Sequence, residues 1–252
     1  MENTETLDNN ICIQLTDATV RFNMAGEKVD NLKEYFVKLV KRELHFKEFY
    51  ALKNVNLTIR KGESWALIGS NGAGKSTMLR LICRILSPYT GTVMVRGTIA
   101  PMIELGAGFD PNLTAEENIY LNGAILGYSK KFIQEKFKDI VDFAELWNFL
   151  ELPIKNYSSG MRARLGFAVA TVKKPDILIV DEVLAVGDAA FQAKCHKRIR
   201  ELLSQGTTLL FVSHSKRMVL DLCEHAAWLD HGEIKLIGTP EEAYAAYESK
   251  TT

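Results

Sequence analysis

The chain has 252 residues, enough for one large core with room for a subdomain. Its composition is that of a globular protein, 47% hydrophobic and 25% charged, and 31 basic residues balance 31 acidic ones, so no global basic field points to nucleic acid. Four scattered cysteines give neither a disulfide framework nor a Cys-x-x-Cys pair, which fits a reducing compartment, and no apolar run is long enough to span a bilayer.

In chain order, Met1–Asn10 is polar and acidic, unlike a signal peptide. Ile11–Phe22 alternates loosely and predicts a first strand. Between Met24 and Glu48, Val29, Leu32, Phe36, Leu39 and Val40 recur at helical spacing, with Lys33, Lys38, Lys41 and Arg42 largely on other faces. This predicts a basic amphipathic helix inserted at 24–48. It would pack on its own domain as a surface helix, or lie at a membrane surface or against a membrane partner. Ala51–Arg60 predicts a second strand, and Lys61-Gly62 a turn into the short apolar run Trp65–Ile68.

That run leads into Gly69, Ser70, Asn71, Gly72, Ala73, Gly74, Lys75, Ser76 and Thr77, the spacing of a phosphate-binding loop. Met78, Leu81, Ile82 and Ile85 follow at helical spacing, so the loop joins a strand to a helix N-terminus. Glycines there let backbone N–H groups turn toward a phosphate, and the helix end adds partial positive charge. Lys75 reaches the β- and γ-phosphates in such a loop, and the Ser76 hydroxyl holds Mg²⁺. Ser87-Pro88 is the expected stop of this helix. Thr92–Val95 and Thr98–Ile103 predict short strands around a turn at Gly97. Helical periods dominate from Thr114 to Leu150, opened by a Thr114–Glu117 capping box, and predict a helical subdomain over 107–157 inserted into a core of 1–106 and 158–252.

Strands alternate with helices again after Pro175. Ile177–Val180 and Thr208–Val212 are continuous apolar runs, as parallel strands buried on both faces require. Asp181-Glu182 follows the first run and Ser213-His214 the second, both at carboxyl ends, where open α/β sheets gather ligands. One carboxylate there can order Mg²⁺ through water, and the next can polarise an attacking water. Ser158, Ser159 and Gly160 precede an apolar helix, either as an ordinary N-cap or as open N–H groups for an anion. Ala226–Asp230 and Glu233–Ile237 predict a hairpin around His231-Gly232. A last helix has Thr239 as N-cap, Pro240 at its first position and Glu242 completing a capping box, and with Thr252 close behind no further domain is expected.

Taken together, the phosphate loop, Tyr157-Ser-Ser-Gly-Met161, the run ending in Asp181-Glu182, and His214 resemble the ATP-binding subunits of ABC transporters. Leu184-Ala-Val-Gly-Asp188 is similar to that family's D-loop. Glu104-Leu-Gly-Ala-Gly-Phe109, Asn118-Ile-Tyr-Leu-Asn-Gly123 and the helix inserted before the second strand resemble the exporters of cell-surface polysaccharides, O-antigen and teichoic acid included. The resemblance implies an α/β P-loop NTPase fold with an added antiparallel β part. It implies ATP hydrolysis with Mg²⁺, with Glu182 as base, His214 on the γ-phosphate, and Ser76 and Asp181 on the metal. It further implies a head-to-tail homodimer in which Ser158, Ser159, Gly160 and Asp188 complete the ATP sites. A membrane permease is the implied partner, with the chain peripheral on the cytoplasmic face and substrate choice left to the permease.

Two positions depart from the family pattern. Glu104 stands nearest to a Gln that contacts Mg²⁺ and water, and Phe22 is the expected adenine-stacking aromatic, with Phe49 and Tyr50 as alternatives. Rival readings are transport of another substrate, a soluble ABC ATPase acting on nucleic acid, and a small-molecule P-loop kinase. Nucleic-acid work predicts a basic surface or coiled-coil arms that the sequence does not display, and a kinase gives no reason for the Ser-Ser-Gly stretch or His214.

Overall fold

Strands that are apolar at every position need cover on both faces. A computed structural model, which describes residues 8–25, 46–103, 108–181, 188–213 and 215–251, shows how that cover is built. Strands β1 (Ile11–Ala25), β2 (Phe46–Arg60) and β4 (Thr90–Val95) form an antiparallel sheet in the order β2-β1-β4. A second sheet contains β3 (Ser64–Ile68), β5 (Ile99–Met102), β6 (Ile177–Val180), β7 (Thr208–Phe211), β8 (His225–Asp230) and β9 (Glu233–Gly238). Its order is β5-β6-β7-β3-β8-β9, parallel throughout except for the β8–β9 hairpin.

The period of two sorts its buried residues between two cores. Ala66, Ile68, Leu178, Val180, Leu209 and Phe211 face a helical layer. This contains α2 (Ala115–Ile125), α3 (Lys130–Ala144), α4 (Ser159–Thr171), α5 (Ala189–Ser204), α6 (Lys216–Leu222) and α7 (Pro240–Thr251). Trp65, Leu67, Ile177, Ile179, Leu210 and Val212 face the other way, onto α1 (Lys75–Ile82) and the antiparallel sheet. The α/β architecture with an antiparallel addition is the expected one. Both expected capping boxes form: Glu117 N donates to Thr114 Oγ1 at 3.2 Å, and Thr239 N to the Glu242 carboxylate at 2.8 Å.

Two expectations need correction. The expected 24–48 insertion begins and ends as strand, because Met24 pairs with Lys47 and Ala25 with Phe46, extending the β1–β2 ladder past both expected ends. The body of the expected helix, 26–45, lies outside the described residues. Second, the helix after the phosphate loop stops at Ile82, well before Pro88. Arg84 takes a left-handed conformation (φ 60°), and the Ile85 and Arg84 amides donate back to Arg80 O and Leu81 O at 2.9 and 3.1 Å. This is a Schellman stop with Arg where glycine is usual, so the sequence carries no glycine to announce it, and Ile85 falls off the buried stripe, 63% exposed. The strands expected either side of Gly97 both form, and they part there, β4 joining the antiparallel sheet and β5 the parallel one. The switch is pinned by Asp176, whose carboxylate accepts from Thr98 N and Oγ1 at 2.7 and 2.8 Å and so aligns β5 with β6.

The stretch leading into α2 is organised by one buried amide. Asn118 is fully buried, and its Nδ2 donates to the carbonyls of Asp110, Leu113 and Thr114 at 3.0, 3.1 and 2.8 Å. Its Oδ1 accepts from Asp110 N at 2.8 Å. A single side chain thus adds a second donor to three carbonyls that already accept from Leu113 N, Ile154 N and Asn118 N, and gives Asp110 N its acceptor. Asn118→Ala is expected to lower stability by roughly 1–3 kcal/mol in equilibrium urea unfolding, the cost of leaving the Asp110 amide without its acceptor; a loss below about 0.5 kcal/mol would show that water replaces the amide.

Candidate functional site

The phosphate loop hangs from the carboxyl end of β3 and feeds directly into α1. Its glycines are required by close packing of main chain on main chain. A Cβ on Gly69, which has φ 155°, would sit 2.2 Å from Leu229 O in β8. One on Gly74, at φ 109°, would sit 2.6 Å from Ala51 O in β2. The turn of the β8–β9 hairpin adds a brace: Gly232 N donates to Ala73 O at 2.9 Å, and Gly232 O accepts from Lys53 N at 2.8 Å. The loop is therefore clamped between two strands from different sheets.

Lys75 opens α1 and is nearly buried, with 9% exposure. Its ammonium donates to the carbonyls of Gly69 and Ser70 at 2.7 and 3.0 Å, which folds the side chain back along the loop. The first turn of α1 has no acidic residue, so its N-terminal dipole is not offset by a side chain of its own.

Beside the loop lies a cleft of about 360 Å³ lined by Phe49, Ala51, Asn71, Gly72, Gly74, Lys75, Ser76, Thr77 and Asp181. Loop amides, an ammonium, two hydroxyls, a carboxylate and one aromatic ring thus share one concavity, the donor set for a phosphorylated ligand with a planar base. Ser76 and Asp181 both line this cleft and supply hard oxygens, which suits Mg²⁺. Asp181 arrives there because β6 and β7 end level, Val212 N donating to Val180 O at 2.8 Å. Gly69, Ser70 and Ala73 shape the loop from behind and do not line the cleft.

The expected adenine aromatic, Phe22, does not line the cleft either. Phe22 and Phe49 are direct cross-strand partners and so share a face, but Phe49 sits on β2, the strand that touches the loop through Ala51. Phe49, one of the two alternatives, is the ring at the cleft, while Tyr50 Oη donates to Glu48 at 2.9 Å away from it. No sequence signal separates these rings, because the difference lies in which strand packs on Gly74.

Ser158 caps α4, its Oγ accepting from Met161 N at 3.1 Å, and Ser159 and Gly160 form the first turn. None of the three lines the cleft of its own chain. Asp188 caps α5, accepting from Phe191 N at 2.9 Å, and pairs with Arg164. The Phe191 amide, together with the nearby Arg164 charge, holds the Asp188 carboxyl below its ordinary value. Glu104, Glu182 and His214 lie outside the described residues. Arg164 carried no signal in the sequence, since, like Arg162 two positions before it, an arginine in an otherwise apolar helix reads as a surface charge.

Residues 52–185 match the ABC transporter family. Over 202 residues the chain is 47% identical to an O-antigen export system ATP-binding protein, RfbB, of Klebsiella pneumoniae, covering 80% of this chain and 82% of that one. Over 241 residues it is 41% identical to a teichoic acids export ATP-binding protein, TagH, of Lactiplantibacillus plantarum, covering 96% of this chain and 65% of that one. Among solved structures, the ATP-binding cassette MJ0796 in a dimeric post-hydrolysis state bound to ADP and Pi superposes with a TM-score of 0.72 at 24% identity, over 90% of this chain and 98% of that one, a likeness of fold.

Replacing Gly69 by Ala drives a Cβ into a backbone carbonyl that no rotamer change can move. Thermal unfolding of Gly69→Ala is expected to show a loss of about 2–3 kcal/mol, with nucleotide binding lost in equilibrium dialysis. A variant as stable as the parent would mean that the loop and β8 are farther apart than described.

Proposed function

The chain belongs to the ABC transporter family, and we propose that it is the ATP-binding and ATP-hydrolysing subunit powering export of a cell-surface polysaccharide, of O-antigen or teichoic acid type, through a membrane permease. The observation that carries this reading is the cleft that gathers Phe49, Lys75, Ser76 and Asp181, in a chain whose relatives are named as O-antigen and teichoic acid exporters.

Phe49 stacks on the adenine, and the loop amides with Lys75 hold the phosphates in line. Ser76, Asp181 through water, and Glu104 in place of the family's Gln would be the oxygens that hold Mg²⁺, which would neutralise charge on the phosphates. Glu182 accepts the proton of the attacking water, and His214 hydrogen-bonds the γ-phosphate and registers its loss. Positioning and electrostatics supply most of the rate.

A second copy completes each site. Ser159 and Gly160, in the first turn of α4, cap the ATP held by the partner. ATP binding closes the head-to-tail dimer, hydrolysis releases it, and the permease takes up the motion at the cytoplasmic face. No helix among the described residues is long and apolar enough to cross a membrane, which agrees with a peripheral subunit.

Two measurements test the site. Phe49→Ala is expected to weaken binding of a fluorescent ATP analogue about tenfold, the scale of one lost base stack, with Phe22→Ala changing it less than twofold; equal losses would return Phe22 to the site. Glu182→Gln is expected to bind ATP normally while turnover falls at least a hundredfold, and unchanged turnover would remove Glu182 as the base. Affinity capture from membranes should recover a permease with the wild-type chain; recovery of soluble partners alone would overturn the export reading.

A further inference from the structure

The turn between β8 and β9 touches both the phosphate loop and β2. His231 and Gly232 form it with left-handed backbone, φ 46° and 82°, as a tight hairpin between twisted strands requires. Gly232 is wedged so closely that a Cβ on it would sit 2.7 Å from Ala51 O. Its amide holds Ala73 O of the loop, and its carbonyl holds Lys53 N of β2, the strand that carries Phe49. The turn therefore sets the spacing between the loop and the strand that brings the aromatic ring to the cleft.

The root of this turn is held from the far side by the last helix. Asp230 ends β8, and its side chain is only 12% exposed. Its carboxylate accepts from the ammonium of Lys250, in the last turn of α7. The same ammonium lies 6.0 Å from the Trp228 ring, and Trp228 packs edge-on against Tyr247 of α7 at 6.4 Å. Trp228 and Asp230 share one face of β8, so two side chains of α7 grip the strand just before it turns. His231 stands 4.0 Å from the Asp230 carboxylate but is 86% exposed, where solvent screens its charge, so Lys250 is the group that secures the carboxylate. Lys250 accordingly holds the Asp230 carboxyl below its ordinary value, with the nearby His231 and Lys235 charges adding to it. A carboxylate this enclosed is costly to leave without its cation, so losing Lys250 would move the root of the turn.

We propose that Lys250 is a positioning residue for nucleotide binding: through Asp230 it fixes the Gly232 turn, and through that turn the phosphate loop against β2. The inference rests on the reading of the cleft as the ATP site, and it adds a residue of the last helix that does not line that cleft.

The test uses the whole chain. Lys250→Met keeps an apolar stem beside Trp228 and removes the charge, Lys250→Arg keeps the charge, and Asp230→Asn removes the other partner. Binding of the fluorescent ATP analogue, KM and kcat for ATP, and thermal unfolding are measured for each and for the Lys250→Met, Asp230→Asn double variant. Lys250→Met is expected to weaken analogue binding and to raise KM by about fivefold, the scale of a small displacement of binding groups, with kcat changed less than about twofold. Asp230→Asn should do the same, the double variant should be no worse than either single one, and Lys250→Arg should stay within about twofold of the parent. If Asp230→Asn does not fold, the contrast between Lys250→Met and Lys250→Arg decides alone. A loss of stability with parent-like affinity and KM would overturn the positioning role and leave an ordinary ion pair, and so would losses that simply add in the double variant. A parent chain that does not bind the analogue would sink the ATP reading itself, a result distinct from either.

Discussion

The loop's fit between two backbones is the constraint on which the rest depends. Gly69 lies against a carbonyl of β8 and Gly74 against a carbonyl of β2, so the phosphate loop can take its shape only when both sheets are in place. The Gly232 turn, bonded to Ala73 on one side and Lys53 on the other, makes the same demand through hydrogen bonds. A strand from the antiparallel sheet thus becomes part of the cleft, and it brings Phe49 with it. The aromatic at the cleft is a consequence of where β2 packs.

The parallel sheet divides the protein's work by the alternation of its side chains. One face rests on α1 and the antiparallel sheet, the half that carries the loop. The other rests on the helical layer, the half that carries Ser158–Gly160. Each strand belongs to both cores, so a shift of one layer is felt in the other through close-packed contacts. Within the helical layer, a brace in which Arg164 grips Glu145 and Asp188 joins α3, α4 and α5.

The relatives give this division a purpose. Chains named for O-antigen and teichoic acid export match along most of the sequence, and a cassette crystallised as a dimer with ADP and Pi shares the fold. Polysaccharide export needs ATP energy delivered to a membrane path, and the described residues contain no helix suited to forming that path.

Much of the site was legible in the residues themselves. A glycine-rich loop between an apolar strand and an apolar helix stripe depends on local geometry, and capping boxes at Thr114 and Thr239 are short-range hydrogen bonds written within four residues. The continuous apolar runs before Asp181 and Ser213 required burial on both faces, and hence a parallel sheet. Tertiary structure decided what local rules cannot reach. Whether Phe22 or Phe49 meets the cleft depends on which strand lies against Gly74. The helix stop at Arg84 rests on a left-handed arginine whose side chain bonds Val95 O at 2.6 Å, and the sheet switch after Gly97 rests on Asp176, seventy-eight positions from Thr98. The brace at Arg164 joins residues from three helices. Contacts of this kind pair groups distant along the chain, and only packing of the whole chain brings them together.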